Sequence, residues 1–300
     1  MSFILLDGKK YSAEIREELK AEAQKLKVRG IVPGLAGVLV GEDPGSSTYV
    51  GLKAKACEEI GIREMMNHLP ADISEVGLLN TIDKLNNDPQ VHGIFIQLPL
   101  PEHLKGAEEK ALAAVSPEKD VDGFHTVNVG RAWQGLHAFV PAVALAMQEM
   151  LLRCGYDFKY KNIVIVNVDN LTGKPFASIM VQDNDNARAN VTLVHPGTPD
   201  LSSYTQRADV LVVSVNKPKF ITGDMVKNGV VVLDFGGNWI EDPVTKKRKS
   251  VGDVDFDAVK EKASFISPVP GGIGPMLITM LMANTITAAK LAGGLIKTKI

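Results

Sequence analysis

The sequence predicts an α/β protein of two lobes: an N-terminal α/β lobe and a Rossmann-like, doubly wound lobe, with the C-terminal helix returning to the first. Three observations predict it. Short apolar runs rich in Val and Ile alternate with helix-length segments along most of the chain. A loop-rich stretch, 99–135, and a helical segment, 141–154, break that alternation near the middle. Finally, Ser267-Pro268-Val269-Pro270-Gly271-Gly272-Ile273-Gly274-Pro275-Met276 joins the last apolar run to a long apolar helix. Pro fixes φ and Gly opens positive φ, so this loop is stiff and shaped, and its bare backbone can receive a flat ligand. A plain strand-to-helix turn would need only two or three such residues.

Residues 7–27 have helical spacing, with Ser12 as the expected cap and Ile15, Leu19 and Leu26 on one side. Residues 34–40 form an apolar strand, and Gly41-Glu42-Asp43-Pro44-Gly45 a turn. A helix over 46–60 closes on Gly61. A second strand over 62–68, a helix over 76–86 and a third strand over 93–98 complete a mainly parallel sheet. The segment 99–135 reads as loops, where functional groups collect at the carboxyl ends of parallel strands. In the second lobe, strands are expected at 163–166, 191–194, 210–215, 230–233 and 264–266, with helices at 175–182 and 222–227. The division that follows is 1–140 plus 276–300 for the first lobe and 141–275 for the second.

Composition narrows the function. A 300-residue chain with 45% hydrophobic and 23% charged residues is ordinary for a globular protein, and a net charge of −2 gives no case for nucleic acid or an acidic membrane as partner. The basic run Lys246-Lys247-Arg248-Lys249 follows Glu241-Asp242-Pro243 and reads as a solvated hairpin tip. Two cysteines, Cys57 and Cys154, make no disulfide framework and suggest a reducing compartment. The N-terminal residues lack leader-like features, so a cytoplasmic location is expected. The apolar stretch 276–289 carries Thr279, Asn284, Thr285 and Thr287 and reads as a buried helix, not a membrane span. The six histidines show no ligand spacing, so no metal is expected.

Tyr49 and Lys53 stand four apart on the 46–60 helix and share a face. Such a pair alone is usually surface, but this one opens a helix directly after a strand and a Gly/Pro turn. Gln97 ends the third strand beside that helix. It can serve the lysine or simply bond the local loop backbone. A short-chain dehydrogenase also uses Tyr-x-x-x-Lys, yet no glycine-rich nucleotide loop precedes Tyr49.

The loop 267–276 resembles the signature of the methylenetetrahydrofolate dehydrogenase/cyclohydrolase family, where it lines the cleft between folate and nicotinamide. VGEDPGSSTYVGLKAKACEEIGI, GIFIQLPLPEHL and SPEKDVDGFHTVNVGR are each similar to a family block, in the family order. The resemblance implies that Tyr49 packs on the folate ring system, Lys53 is the central catalytic group, Gln97 tunes it, and Asp122 holds the pterin's amidine edge. It places Pro270, Gly271 and Gly272 at the substrate. It implies oxidation of 5,10-methylenetetrahydrofolate with NADP or NAD, then hydrolysis of the methenyl product to 10-formyltetrahydrofolate. It also implies a homodimer working in one-carbon metabolism and purine biosynthesis.

The cofactor lobe departs from the family pattern. The usual G-R-S-x-x-V-G-x-P is Asn167-Val168-Asp169-Asn170-Leu171-Thr172-Gly173-Lys174-Pro175, and H-S-x-T is His195-Pro196-Gly197-Thr198. Asn216 replaces a second glycine, and Gly237 lies in the block that matches D-x-G-I-N. The resemblance therefore implies cofactor contacts at Asn167, Val168, Asp169, Gly173, Pro196, Thr198 and Gly237, with the arginine and serines that hold the 2′-phosphate of NADP replaced. The expectation is that NADP binds no better than NAD. A cyclohydrolase with weakened or lost dehydrogenase activity is the alternative; a folate-binding protein without turnover is a third reading, opposed by the joint presence of Tyr49, Lys53, Gln97 and Asp122.

Overall fold

The computed structural model describes residues 3–42, 44–241 and 248–297, with backbone alone over 44–48. Strand β1 (Ile4–Leu5) leads to α1 (Gly8–Val28), β2 (Gly34–Val40), α2 (Pro44–Ile60), β3 (Arg63–Leu69), α3 (Glu75–Asn87) and β4 (Gly93–Ile96). Then follow α4 (Glu108–Ala114), α5 (Thr126–Trp133), α6 (Ala142–Arg153), β5 (Asn162–Val166), α7 (Gly173–Met180), β6 (Asn190–Val194), α8 (Ser202–Thr205) and β7 (Val210–Val213). The chain closes with β8 (Val231–Asp234), β9 (Asn238–Glu241), β10 (Arg248–Val251), α9 (Phe256–Val259), β11 (Phe265–Ile266) and α10 (Met276–Ala292).

The chain divides into two compact units. One comprises Ala13–Ala142 and Ile278–Ile300, the other Met1–Ser12 and Val143–Leu277. Residues 3–12, expected with the catalytic lobe, therefore group with the cofactor lobe. The reason is β1: it pairs in parallel with β11, Ile4 opposite Phe265 and Leu5 opposite Ile266, and extends that sheet by one edge strand.

In the first unit, β2 lies between β3 and β4 in a three-stranded parallel sheet, and all seven of its residues are buried. Period-two alternation sorts its side chains. Leu35 packs with Leu26, Cys57, Phe95, Met282 and Ile286, from α1, α2, β4 and α10. Ala36, Val38 and Val40 pack with Leu78, Ile82 and Ile94, from α3 and β4, on the other face. Helix α10 thus joins the core of this unit, as its apolar sequence predicts. Gly61, at φ +91°, caps α2, and its N–H donates to Cys57 O at 2.9 Å. Burial pushes the Cys57 thiol up to about 12, in keeping with a core cysteine.

The main sheet of the second unit has six strands in the order β1-β11-β8-β7-β5-β6, and every pairing within that sheet is parallel. Successive strands β5, β6 and β7 put β6 on one side of β5 and β7 on the other. The order reverses there, so the crevice beyond the carboxyl ends of β5 and β7 is a switch point, where doubly wound folds take their ligands.

Several local expectations are corrected. Asp7, not Ser12, caps α1: its Oδ1 accepts from Lys9 N at 3.0 Å and Lys10 N at 3.1 Å, while Ser12 is 5% exposed inside the helix. The stretch 99–135 contains α4, α5 and a 3-10 turn, Glu102–Ala107. Only a 3-10 turn, Gly223–Met225, forms where a helix over 222–227 was expected. Strands β9 and β10 pair antiparallel, with Arg248 opposite Glu241. The tip expected between them, with Lys246 and Lys247, lies outside the described residues, as does Asp43 of the turn before α2. Among the described residues no helix is long and apolar enough to cross a membrane.

Candidate active site

The site in the first unit grows from one strand and one helix. Phe95 is buried on the α2 side of the sheet, and two residues on, Gln97 falls on the same face. Helix α2 packs Ala56, Cys57 and Ile60 against that face, so Lys53, one turn earlier, is drawn under the helix and over the strand tip. Its ammonium lies 3.8 Å from the centre of the Phe95 ring and donates to Gln97 Oε1 at 3.2 Å. Gln97 Nε2 donates in turn to Leu98 O at 2.9 Å, which fixes which end of the amide faces the lysine. Gln97 thus bonds the local loop and also contacts Lys53. Burial lowers the pKa of Lys53, and the nearby charge of Asp122 opposes that shift.

Two aspartates of Lys119-Asp120-Val121-Asp122-Gly123 divide the labour. Asp120 is 3% exposed; its Oδ1 accepts from Gly123 N and Phe124 N, and its Oδ2 from His125 N and Asn128 Nδ2. It folds the loop. Asp122, two residues on, is half-buried, and among the described residues its carboxylate accepts no hydrogen bond. Desolvation pushes its pKa up to about 6, opposed by Lys53 and assisted by Asp120. Tyr49, one turn before Lys53 on α2, is 55% exposed. Lys53, Gln97 and Asp122 are thus brought together, with Tyr49 on the same helix face.

Sequence reasoning missed Phe95, Asp120 and Asn284. Asn284 is 8% exposed on α10, and its Nδ2 donates to Val121 O at 2.8 Å and to Val140 O at 3.1 Å. It pins the backbone beside Asp122. Its signal was a lone amide in a helix whose other residues, apart from Lys290 in the last turn, are apolar or carry hydroxyls. Asn284→Leu is expected to leave both carbonyls unpaired and to cost about 1–3 kcal/mol. A urea unfolding midpoint equal to wild type would contradict this.

The loop 267–276 belongs to the other unit. Val269–Pro270 is cis, and Gly271 sits at φ +110°. Gly8 N donates to Gly271 O at 3.0 Å, and Gly272 N to Pro268 O at 2.8 Å, so the glycine backbone is held at both ends.

At the switch point, Asn167 follows β5 and is 5% exposed. Its Nδ2 donates to Ser214 O, just beyond β7, at 2.7 Å, and to Asp169 Oδ2 at 2.8 Å. Its Oδ1 accepts from Asp169 N at 2.8 Å and Gly173 N at 2.9 Å. A Cβ on Gly173 would collide with the backbone and side-chain oxygens of Asn167, so the α7 start must be glycine. Val168 is half-buried and Asp169 exposed. Pro196 and Thr198 follow β6, whose Val194 pairs with Val166, and Thr198 N donates to His195 O at 2.9 Å. Asn216 adopts φ +53°, a left-handed conformation Asn tolerates, which explains why it can replace a glycine. Gly237 is exposed beyond β8. Asp253, fully buried and not foreseen, accepts from Val215 N, Asn216 N, Lys217 N and Asn238 Nδ2 and so ties the loops after β7 and β8 together.

Strand order, the crevice at β5 and β7 and the tight Gly173 turn fit a dinucleotide. Asn167, Val168, Asp169, Gly173, Pro196, Thr198 and Gly237 are the residues that would hold it. Among the described residues no group of His, Cys, Asp or Glu is placed to hold a metal.

Comparison with known proteins agrees with both units. Residues 6–122 match the family model described as tetrahydrofolate dehydrogenase/cyclohydrolase, catalytic domain, and residues 141–293 match its NAD(P)-binding domain. The bifunctional protein FolD of Nautilia profundicola is 48% identical over 286 residues, 95% of this chain and 97% of that protein. The crystal structure of the bifunctional FolD enzyme, a methylenetetrahydrofolate dehydrogenase/cyclohydrolase from Campylobacter jejuni, superposes with TM-score 0.89 at 45% identity, covering 96% of this chain and 99% of that one. The Trypanosoma brucei methylenetetrahydrofolate dehydrogenase-cyclohydrolase, solved with NADP cofactor and an inhibitor, gives TM-score 0.87 at 34% identity, covering 97% and 98%.

Proposed function

The chain belongs to the tetrahydrofolate dehydrogenase/cyclohydrolase family, and from that premise we propose that it oxidises 5,10-methylenetetrahydrofolate and hydrolyses the methenyl product to 10-formyltetrahydrofolate. The observation that carries this reading is the Lys53 ammonium, held by Gln97 over the Phe95 ring and lowered in pKa by burial. A desolvated lysine gives up its proton more readily and can act as acid and base near neutral pH.

Asp122 orients the substrate. Its free carboxylate accepts charge-assisted hydrogen bonds from the amidine edge of a pterin. Tyr49, exposed one turn before Lys53, offers a ring face to the folate ring system. Water adds to the methenyl carbon, and Lys53 Nζ in its neutral form, which burial favours, takes the proton that the water loses. The C–N5 bond then breaks as N5 receives that proton and the carbinol hydroxyl gives up its own to solvent, leaving the formyl group on N10. Gln97 keeps the Nζ in place throughout, because its amide is anchored to Leu98 O.

A nicotinamide dinucleotide, NADP or NAD, supplies the hydride acceptor when bound in the second unit. The assignment of Pro270, Gly271 and Gly272 to substrate rests on the family resemblance. So do a homodimer, a cytoplasmic location and a supply of one-carbon units for purine synthesis. The test is direct: purified protein is given methylenetetrahydrofolate with each dinucleotide, and methenyltetrahydrofolate alone. Turnover of both substrates is expected, and turnover of neither would end the proposal.

A further inference from the structure

The turn after β5 is closed on itself by its own side chains. Asp169 Oδ1 accepts from Leu171 N at 3.0 Å and from Thr172 N at 2.6 Å, and its Oδ2 accepts from Asn167 Nδ2. Asn167 Oδ1 takes Asp169 N and Gly173 N. The N–H groups leading into α7, which in dinucleotide folds face an anion, are therefore occupied by an amide and a carboxylate of the chain itself. Asn167 also crosses the switch-point crevice to Ser214 O and locks the turn to the end of β7. The result is an exposed carboxylate held at fixed position on the rim.

We propose that this clip of Asn167 and Asp169 selects a dinucleotide with a free adenosine 2′-hydroxyl over one with a 2′-phosphate. The proposal rests on reading the second unit as a nicotinamide-dinucleotide lobe. A carboxylate with lone pairs to spare accepts from a ribose hydroxyl and repels a phosphate dianion. Two lysines of the neighbouring loops are held by neutral groups and not aimed at the carboxylate by an ion pair. Lys174 Nζ donates to Asn170 Oδ1 at 2.8 Å, and the Lys217 ammonium lies 5.2 Å from the centre of the Phe220 ring. Val168 offers the phosphate no donor. Asp169 is thus a specificity residue, and Asn167 positions it.

Calorimetric titration of the full chain with NAD, NADP, 5′-AMP and 2′,5′-ADP tests the clip. NAD is expected to bind at least about tenfold tighter than NADP, and 5′-AMP tighter than 2′,5′-ADP, from the repulsion of close like charges. Asp169→Asn removes the charge and retains an oxygen for Leu171 N and Thr172 N, so it should narrow both gaps by about tenfold. Asp169→Ser, a second variant, should do the same. NADP binding as tightly as NAD in wild type, or gaps unchanged in both variants, would overturn the clip and leave the dinucleotide lobe standing. Binding of neither dinucleotide would overturn both, while hydrolysis of methenyltetrahydrofolate, read separately, would still stand or fall on the Lys53 site.

Discussion

Lys53→Met is expected to lower hydrolysis of methenyltetrahydrofolate by about 10²–10⁴-fold, the usual worth of a positioned acid/base. Methionine matches the lysine stem in length and keeps contact with the Phe95 ring, so the helix should stay seated. It cannot take a proton. Folate binding should be largely retained, because Asp122 and Tyr49 remain. The same loss should appear whether or not a dinucleotide is present. Hydrolysis at the wild-type rate would show that the proton travels through another group. Gln97→Leu offers a control on position: it leaves the amine but removes its anchor, and should act mainly on kcat.

Asp122→Ala is expected to weaken folate binding by roughly 1.5–3 kcal/mol, the scale of hydrogen bonds to a charged group. The pKa of about 6 adds a pH signature. The anion accepts from the pterin, so binding should weaken as pH falls through about 6, and Asp122→Asn should flatten that profile. Stability runs the other way. The folded carboxyl holds its proton above the ordinary value of 3.8, so the stability it contributes is full below that value and is lost as pH rises through about 6. Burial pushes Asp234 up to about 6 as well, so it shares the stability slope, and it is the loss of the binding slope in Asp122→Asn that identifies Asp122 as the group titrating at the pterin. A dissociation constant unchanged in Asp122→Ala would show that the pterin sits elsewhere.

Much of the scaffold was legible because its signals are local. Alternating apolar runs mark strands, and the Gly61 stop ends α2 by backbone geometry alone. What escaped depends on partners far along the chain. Strand β1 has two residues, and only β11, some 260 residues later, makes it a strand. Asp120 and Asp122 look alike in sequence; only the loop they fold separates the one that holds N–H groups from the one left free. Asn284 reads as an oddity in α10 until the carbonyls of Val121 and Val140 appear beside it. At Asn167 and Asp169 the replacement of Gly and Ser was visible, but not that the two side chains bond each other and the turn. Hydrogen-bond direction is a property of the folded loop, and residue identity alone does not give it.

The measurement that bears most directly on the Lys53 site is the decay of methenyltetrahydrofolate absorbance with wild-type protein and no dinucleotide, against Lys53→Met under the same conditions. Wild type should accelerate the decay well above the buffer rate, and the variant should fall back close to it. Equal decay with wild type, variant and buffer would contradict the assignment.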